Sequence, residues 1–135
     1  MSARTSFLAR LIGLFLVAVG LPMALNKADL VRAITQTVHD PALLLTFGLI
    51  TLPLGLAIVL GHNVWSGGGA PVLVTLFGWA LLAKSVVLLF LSSAAVVSLY
   101  AIVRFGDFYY GDVVVILAIG VYLTYAGFKP ATPKP

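Results

Sequence analysis

The sequence predicts an all-α polytopic membrane protein, with four transmembrane helices in a bundle and two short interfacial helices. Apolar residues make up 61% of its 135 residues and charged residues only 9%. A soluble domain is about 45–50% apolar and about 25% charged, so the composition excludes a water-soluble fold. Four apolar stretches are long enough to cross a hydrocarbon core of about 30 Å.

The four spans are predicted from their apolar runs and from the residues that bound them. Arg10 can snorkel to the headgroups and so extends the first apolar run toward the N-terminus. Asp40 and Pro41 form an N-cap followed by proline at the first helical position, which predicts the start of the second span. Pro53 lies in the middle of that span and predicts a kink. The predicted spans cover about residues 7–25, 42–61, 71–91 and 112–128.

Two short helices are predicted to lie on the membrane surface, at about residues 27–39 and 93–104. Asn26 is the predicted N-cap of the first, which is amphipathic but too short and too polar to span the bilayer. An aromatic loop over residues 104–112 resembles the aromatic belts found at membrane–water interfaces. The Pro-rich tail, residues 129–135, is predicted to be disordered.

The chain shows two regularities that bear on packing. Shifting it by 65 residues superimposes the order span, short helix, span of the first half on that of the second, which predicts a tandem parallel repeat. In addition, small residues recur seven apart in every span, and small side chains on one face let helices approach closely. These positions are Gly13 and Gly20, Gly48 and Gly55, Gly78 with Ser85 and Ser92, and Gly120 and Gly127.

Several classes of function are excluded or disfavoured. The chain has no cysteine, so disulfides, Cys-ligated zinc and thiol catalysis are impossible. Its eight Lys and Arg residues are scattered singly, whereas nucleic-acid binding needs a clustered basic patch. The run Gly67–Gly69 lacks the Lys-Ser/Thr ending of a phosphate loop and predicts a flexible turn. No nucleophile, base and orienting group occur together. We therefore expect no nucleic-acid partner, no cofactor and no enzymatic activity.

Lys84 is the first candidate functional residue, because it is a charge well inside the third span. An ionisable residue at that depth is costly and often contacts a ligand, proton or ion. The alternatives are snorkelling to the far headgroups, or pairing with a helix C-terminus or with Asp107. The direction in which Lys84 points should distinguish these roles.

The second candidate group is His62, Asn63 and Trp65, in the hinge that precedes the third span. A histidine at a helix end could titrate near neutral pH or bind a metal. The only other histidine, His39, is predicted on the opposite side of the membrane, so we expect no metal site. Capping and anchoring at the interface are favoured, because tryptophan prefers the headgroup level.

Four stretches resemble a family of small bacterial four-span integral membrane proteins. They read Leu-Ala-Arg-Leu-Ile-Gly-Leu, Asp-Pro-Ala-Leu, Gly-His-Asn-Val-Trp-Ser-Gly-Gly and Gly-Trp-Ala-Leu-Leu-Ala-Lys, within residues 8–91. The likeness is most specific at His62–Gly68 and Gly78–Lys84. It implies a bacterial inner membrane and implies no activity. The cations at the two ends of the chain favour cytoplasmic termini.

Two functions remain open from the sequence. The first is a non-enzymatic accessory or structural subunit that packs, within the lipid bilayer, into a homo-oligomer or a larger membrane complex. Its basis is the small-residue faces and the lack of a catalytic set. The alternative is a small transporter or channel for an ion or small solute, with Lys84 in its pathway.

Overall fold

The computed structural model describes residues 1–103 and 108–129, which form six α-helices and no strand. Four of these helices are long and apolar enough to cross a membrane, namely α1, α3, α4 and α6. The predicted fold class is therefore confirmed. The helices are α1 (Ala3–Leu25), α2 (Lys27–His39), α3 (Pro41–Gly61), α4 (Gly69–Phe90), α5 (Ser93–Val103) and α6 (Tyr109–Phe128).

The helix starts follow local capping chemistry, with two differences from expectation. The Asp40 carboxylate accepts hydrogen bonds from the backbone amides of Ala42 and Leu43 at 2.8 and 3.2 Å, which confirms the predicted N-cap of α3. Asn26 precedes α2, but its side chain makes no capping hydrogen bond. The hydroxyl of Ser2 caps α1, which for this reason begins at Ala3 and not at residue 7.

The aromatic segment before α6 is more helical than predicted. The loop was expected to reach Asp112, yet α6 already begins at Tyr109. The buried Tyr109 hydroxyl donates to the Met23 carbonyl at 2.7 Å and so fixes the first turn of α6 against the end of α1. The expected loop residues 104–107 lie outside the described residues, as does the predicted disordered tail beyond Lys129.

The spans pack as two tight pairs, α1 with α6 and α3 with α4. A Cβ placed on Gly13 would lie 2.5 Å from the Thr124 backbone nitrogen, and one on Gly55 would lie 2.8 Å from that of Leu82. Backbone meets backbone at these points, so the predicted small-residue faces are confirmed as packing seams. Ser92 is the exception, because it is exposed and its hydroxyl accepts from an amide at the start of α5.

Contacts in the two pairs correspond at the 65-residue shift. Gly120 on α6 faces Leu16 and Val17 on α1. The equivalent position, Gly55 on α3, faces residues 81 and 82 of α4, which are the counterparts of 16 and 17. The pair α1–α6 is thus the counterpart of α4–α3. The smaller contacts α1–α4 and α2–α5 join equivalent helices of the two halves, whereas the α2–α3 and α4–α6 contacts have no counterpart of similar size among the described residues.

The buried apolar side chains form three clusters. The first joins both helix pairs near the α3–α4 hinge and is built from Ala9, Ile12, Ala70, Val74 and Leu123. At the opposite end of the bundle each pair has its own cluster. One contains Val38, Leu44, Leu88 and Val96, and the other contains Met23, Tyr109 and Val113. The surface helix α2 contributes side chains to both of these clusters.

Candidate functional site

The end of the bundle that carries the α3–α4 hinge contains a small cluster of buried polar side chains. His62 is the C-cap residue of α3, and only 3% of its surface is exposed. Its ring lies between Thr5 in the first turn of α1 and Thr75 on α4, and both threonines are buried. These three residues, here called the hinge cluster, join α1, α3 and α4.

Hydrogen bonds hold the His62 ring from both sides. Its Nε2 lies 3.1 Å from Oγ1 of Thr5, and its Nδ1 lies 3.4 Å from Oγ1 of Thr75. The Thr75 hydroxyl also accepts from the Val64 backbone nitrogen at 3.0 Å and donates to the Val64 carbonyl at 2.9 Å. Because the single proton of the Thr75 hydroxyl goes to the Val64 carbonyl, this geometry assigns the donor role to Nδ1 of His62, and in the neutral ring Nε2 then accepts from Thr5.

An open depression of about 380 Å³ lies beside the hinge cluster. On its wall, Nη1 of Arg4 donates to the Gly61 carbonyl at 3.2 Å, which places a cation at the C-terminal end of α3. The Ser2 and Thr5 hydroxyl oxygens lie 2.7 Å apart. These polar groups therefore tie the start of α1 to the end of α3.

Asn63 and Trp65 lie at the same end of the bundle and are exposed. Oδ1 of Asn63 accepts from Nε1 of Trp65 at 2.7 Å, and Nε1 of Trp79 lies 3.5 Å from the same oxygen. Two exposed indole rings around one amide are typical of a membrane–water boundary. The interface-anchoring role of Trp65 stays a prediction, and the geometry agrees with it.

Lys84 lies apart from these residues, in the second half of α4. It is nine residues beyond Thr75, or about 14 Å along the helix axis at 1.5 Å per residue. Its side chain is exposed and lines an open groove between α3, α4 and the surface helices α2 and α5. The structure therefore brings His62, Asn63 and Trp65 together and leaves Lys84 separate. Asp107, the acidic partner considered for Lys84, lies outside the described residues.

The polar side chains of this site, like that of His39, are engaged in hydrogen bonds within the protein. Within the described ranges, no three His, Cys, Asp or Glu side chains stand close enough to hold a metal ion. His39 ends α2, at the opposite end of α3 from His62, and its Nδ1 lies 2.7 Å from the Thr35 carbonyl oxygen. Every buried side-chain nitrogen or oxygen in the described part has a hydrogen-bond partner. In the hinge cluster, these hydrogen bonds hold helices together.

Sequence reasoning missed three of the residues that hold this end together. Thr5 is 57 residues and Thr75 is 13 residues from His62 along the chain, so no local pattern could pair them. Arg10 was expected only to snorkel, yet its Nε donates to the Gly127 carbonyl at 2.8 Å. Its guanidinium also lies 4.7 Å from the centre of the Phe128 ring. The contact places the start of α1 beside the end of α6.

Four apolar helices, two short helices and a polar hinge define an α-helical protein with the architecture of a multi-pass membrane protein. No family model, no curated protein and no solved structure matches the chain. The resemblance to small bacterial four-span proteins stays a prediction, and the function must be argued from the geometry.

Proposed function

We propose that this protein is a non-enzymatic accessory or structural subunit that packs into a homo-oligomer or a larger membrane complex. The proposed location is a bacterial inner membrane with both termini in the cytoplasm. The family resemblance supports the membrane, and the cations near the two chain ends support the orientation. The hinge cluster supports the non-enzymatic role, because its polar groups are used to tie helices to one another.

The glycine seams do not supply the surface for such an assembly, because they are used inside the chain. The observation that carries the proposal is the outer face of α3. This helix packs on α4 and α2, and its outer face leaves a row of small residues exposed at helical spacing, with Ile50 between the first two. Small side chains let a neighbouring helix approach closely, and close packing drives helix association in lipid. The exposed row comprises Thr46, Pro53, Ala57 and Gly61.

Native mass spectrometry of protein extracted in mild detergent tests the assembly. A discrete oligomer or a stable co-purifying chain is expected. Ala57→Leu should weaken it, because the larger side chain separates the helices. A lone monomer with no co-purifying chain would contradict the proposal.

Disulfide cross-linking in native membranes separates a homo-oligomer from a mixed complex. The chain has no cysteine, so single-cysteine variants report one position each. Ala57→Cys should cross-link to itself if two copies meet on α3. Leu56→Cys is the matched control, since the next residue lies at almost the same depth but about 100° around the helix. Equal cross-linking of both variants would indicate random collision and would count against a specific α3 interface.

The alternative is a small transporter or channel with Lys84 in its pathway. That function requires Lys84 to line a path between the spans, whereas its side chain lies in the outer groove. We therefore expect Lys84→Met to leave assembly and any ion or solute flux in liposomes unchanged. A flux present in the native protein and lost in Lys84→Met, with assembly intact, would favour transport instead.

A further inference from the structure

The groove that contains Lys84 lies on the outside of the α3–α4 pair, at the end of the bundle that carries α2 and α5. It is open and has a volume of about 190 Å³. Its apolar floor includes Leu44 and Leu88, which belong to the buried cluster of this end. Its polar side chains come from Lys84, Thr37 and Tyr100. The groove thus combines a hydrocarbon surface with one cation.

Most of the residues that line the groove differ from their counterparts in the other half of the repeat. At the 65-residue shift, Leu44 corresponds to Tyr109, and Lys84 corresponds to Val19. Tyr109 is fully buried, and its ring packs in the counterpart cluster with Met23. In the α3–α4 half the same place holds the smaller Leu44, and a lysine stands where the other half has valine. At these two positions, therefore, the α3–α4 half has a smaller side chain and a cation that the other half lacks.

The position of Lys84 along α4 allows its ammonium group to reach a lipid headgroup. It lies six residues before the end of α4 at Phe90, or about 9 Å along the helix axis. The four-carbon side chain of a lysine can extend beyond its Cα, so that the ammonium group reaches toward the headgroups while the methylenes stay on apolar surface. An exposed lysine at this depth can therefore meet a lipid phosphate.

The described walls of the groove do not neutralise the charge of Lys84. No acidic side chain occurs among the described residues that line it. Asp40, which follows α2, uses its carboxylate to cap the N-terminus of α3. Burial raises the pKa of the Tyr100 hydroxyl, so this ring contributes no negative charge. Among the described residues, the groove therefore has a net positive charge beside its apolar floor.

We propose that this groove binds one anionic phospholipid, with the headgroup phosphate on the Lys84 ammonium and an acyl chain over the exposed ring of Phe47. The pairing follows from charge complementarity and from the apolar floor, because basic pockets between membrane helices recognise anionic headgroups. It does not depend on the oligomeric state.

The binding test uses delipidated full-length protein in detergent and two lipids that share acyl chains, phosphatidylglycerol and phosphatidylcholine. Native mass spectrometry should show one phosphatidylglycerol retained in preference to phosphatidylcholine. Lys84→Met should weaken phosphatidylglycerol binding about tenfold and remove the preference, because a charge-assisted hydrogen bond is lost. Lys84→Arg should retain it. An unchanged preference in Lys84→Met would overturn the proposal.

A second pair of variants tests the groove without altering Lys84. Thr37→Glu places a carboxylate on the groove wall and should repel the anionic headgroup. Thr35→Glu is the control, since Thr35 is on the same helix, is exposed and does not line the groove. Both hydroxyls bond carbonyls of their own helix at 2.8 Å, so the two substitutions remove equivalent contacts. Equal losses in Thr35→Glu and Thr37→Glu would indicate general surface charge and overturn the proposal.

Two further measurements distinguish lipid binding at Lys84 from unfolding of the variant and from binding of a free anion. The thermal midpoint of lipid-free Lys84→Met should match that of the native protein, so that weakened binding cannot be assigned to unfolding. If that variant does not fold, the Thr37→Glu and Thr35→Glu pair decides the matter. Inorganic phosphate added in millimolar excess should not displace phosphatidylglycerol, because it lacks the acyl chain. Full displacement by phosphate would assign the site to a free anion and overturn the lipid proposal.

Discussion

At the scale of single residues, His62 shows how a buried imidazole can serve a structural purpose in a membrane protein. Both ring nitrogens meet threonine hydroxyls, and those hydroxyls come from two different helices. Leaving a buried polar group without its partner costs about 1–3 kcal/mol of stability. Removing one partner in the hinge cluster therefore destabilises the protein by more than the bond itself contributes. The ring therefore fixes the start of α1 against the hinge.

Thr75→Val is the sharpest test at this scale. The substitution keeps the shape of the side chain but leaves Nδ1 of His62 and the Val64 amide without their partner. We expect a loss of about 1–3 kcal/mol in the free energy of unfolding. The measurement is the midpoint of SDS-induced unfolding in mixed micelles.

Thr46→Val is the matched control for that substitution. Thr46 is exposed, and its hydroxyl donates only to the Ala42 carbonyl of its own helix at 2.8 Å. Its replacement should change the stability by no more than about 0.5 kcal/mol. If both variants shift the midpoint equally, the hinge cluster does not contribute as described.

At the scale of helices, the molecule consists of two closely packed pairs with the same internal geometry. The seams are tight enough that backbone atoms of the neighbouring helix are among the nearest atoms at Gly13, Gly55, Gly120 and Gly127. In lipid there is no hydrophobic drive between apolar helices, so such close packing supplies much of the association energy. The surface helices α2 and α5 then pack over the end where the pairs have separate clusters.

Gly55→Ala tests the α3–α4 seam. The new Cβ would meet the Leu82 backbone nitrogen at 2.8 Å, and a backbone atom cannot move aside cheaply. We expect a destabilisation of about 1–3 kcal/mol, despite the higher helix propensity of alanine. Gly120→Ala should have a similar effect, because its Cβ would lie 3.0 Å from the Val17 backbone nitrogen. Unfolding in mixed micelles measures both.

Gly61→Ala provides the comparison for these glycine variants. Gly61 ends the same helix, and a Cβ there would meet nothing within 4 Å. Its replacement should be neutral or stabilising by up to about 1 kcal/mol. A loss at Gly61 as large as that at Gly55 would show that the effect comes from backbone propensity and not from packing.

At the scale of the whole molecule, the four spans return the chain to the end at which it began. The contact between Arg10 and the Gly127 carbonyl places the first and last spans side by side at that end. The α3–α4 hinge lies there too, whereas α2 and α5 lie at the other end. One side of the molecule thus carries the start of α1, the end of α6 and the hinge, and the other carries α2 and α5.

This arrangement predicts a pattern of chemical labelling. Single cysteines at Ser66 in the hinge and at Lys129 after α6 should react with a membrane-impermeant maleimide from one side of sealed vesicles. A cysteine at Gln36 on α2 should react only from the other side. All three positions are exposed, and the chain has no native cysteine to interfere. Labelling of Ser66→Cys and Gln36→Cys from the same side would refute the four-span architecture.

Most of the fold was predictable, because helices that can cross a membrane are recognised in the sequence as long apolar stretches. The four spans, the Asp40–Pro41 start of α3 and the glycine seams follow from apolar length, local capping and spacing of seven. The start of α6 was placed too late, because Tyr109 looked like an interfacial loop residue. Its burial depends on Met23, a residue 86 positions away along the chain.

The candidate site, like the fold, was predictable in part from the sequence and in part only from the tertiary structure. Composition and spacing alone predicted an all-α fold with four helices apolar enough to cross a membrane, and they identified Lys84 and His62 as unusual residues. The tertiary structure decided what those residues touch. Contacts such as Thr5 with His62, or the groove beside Lys84, join segments far apart in sequence, and their geometry depends on how helix pairs pack. Local chemistry determines where helices begin and end, and only packing determines which of their faces meet.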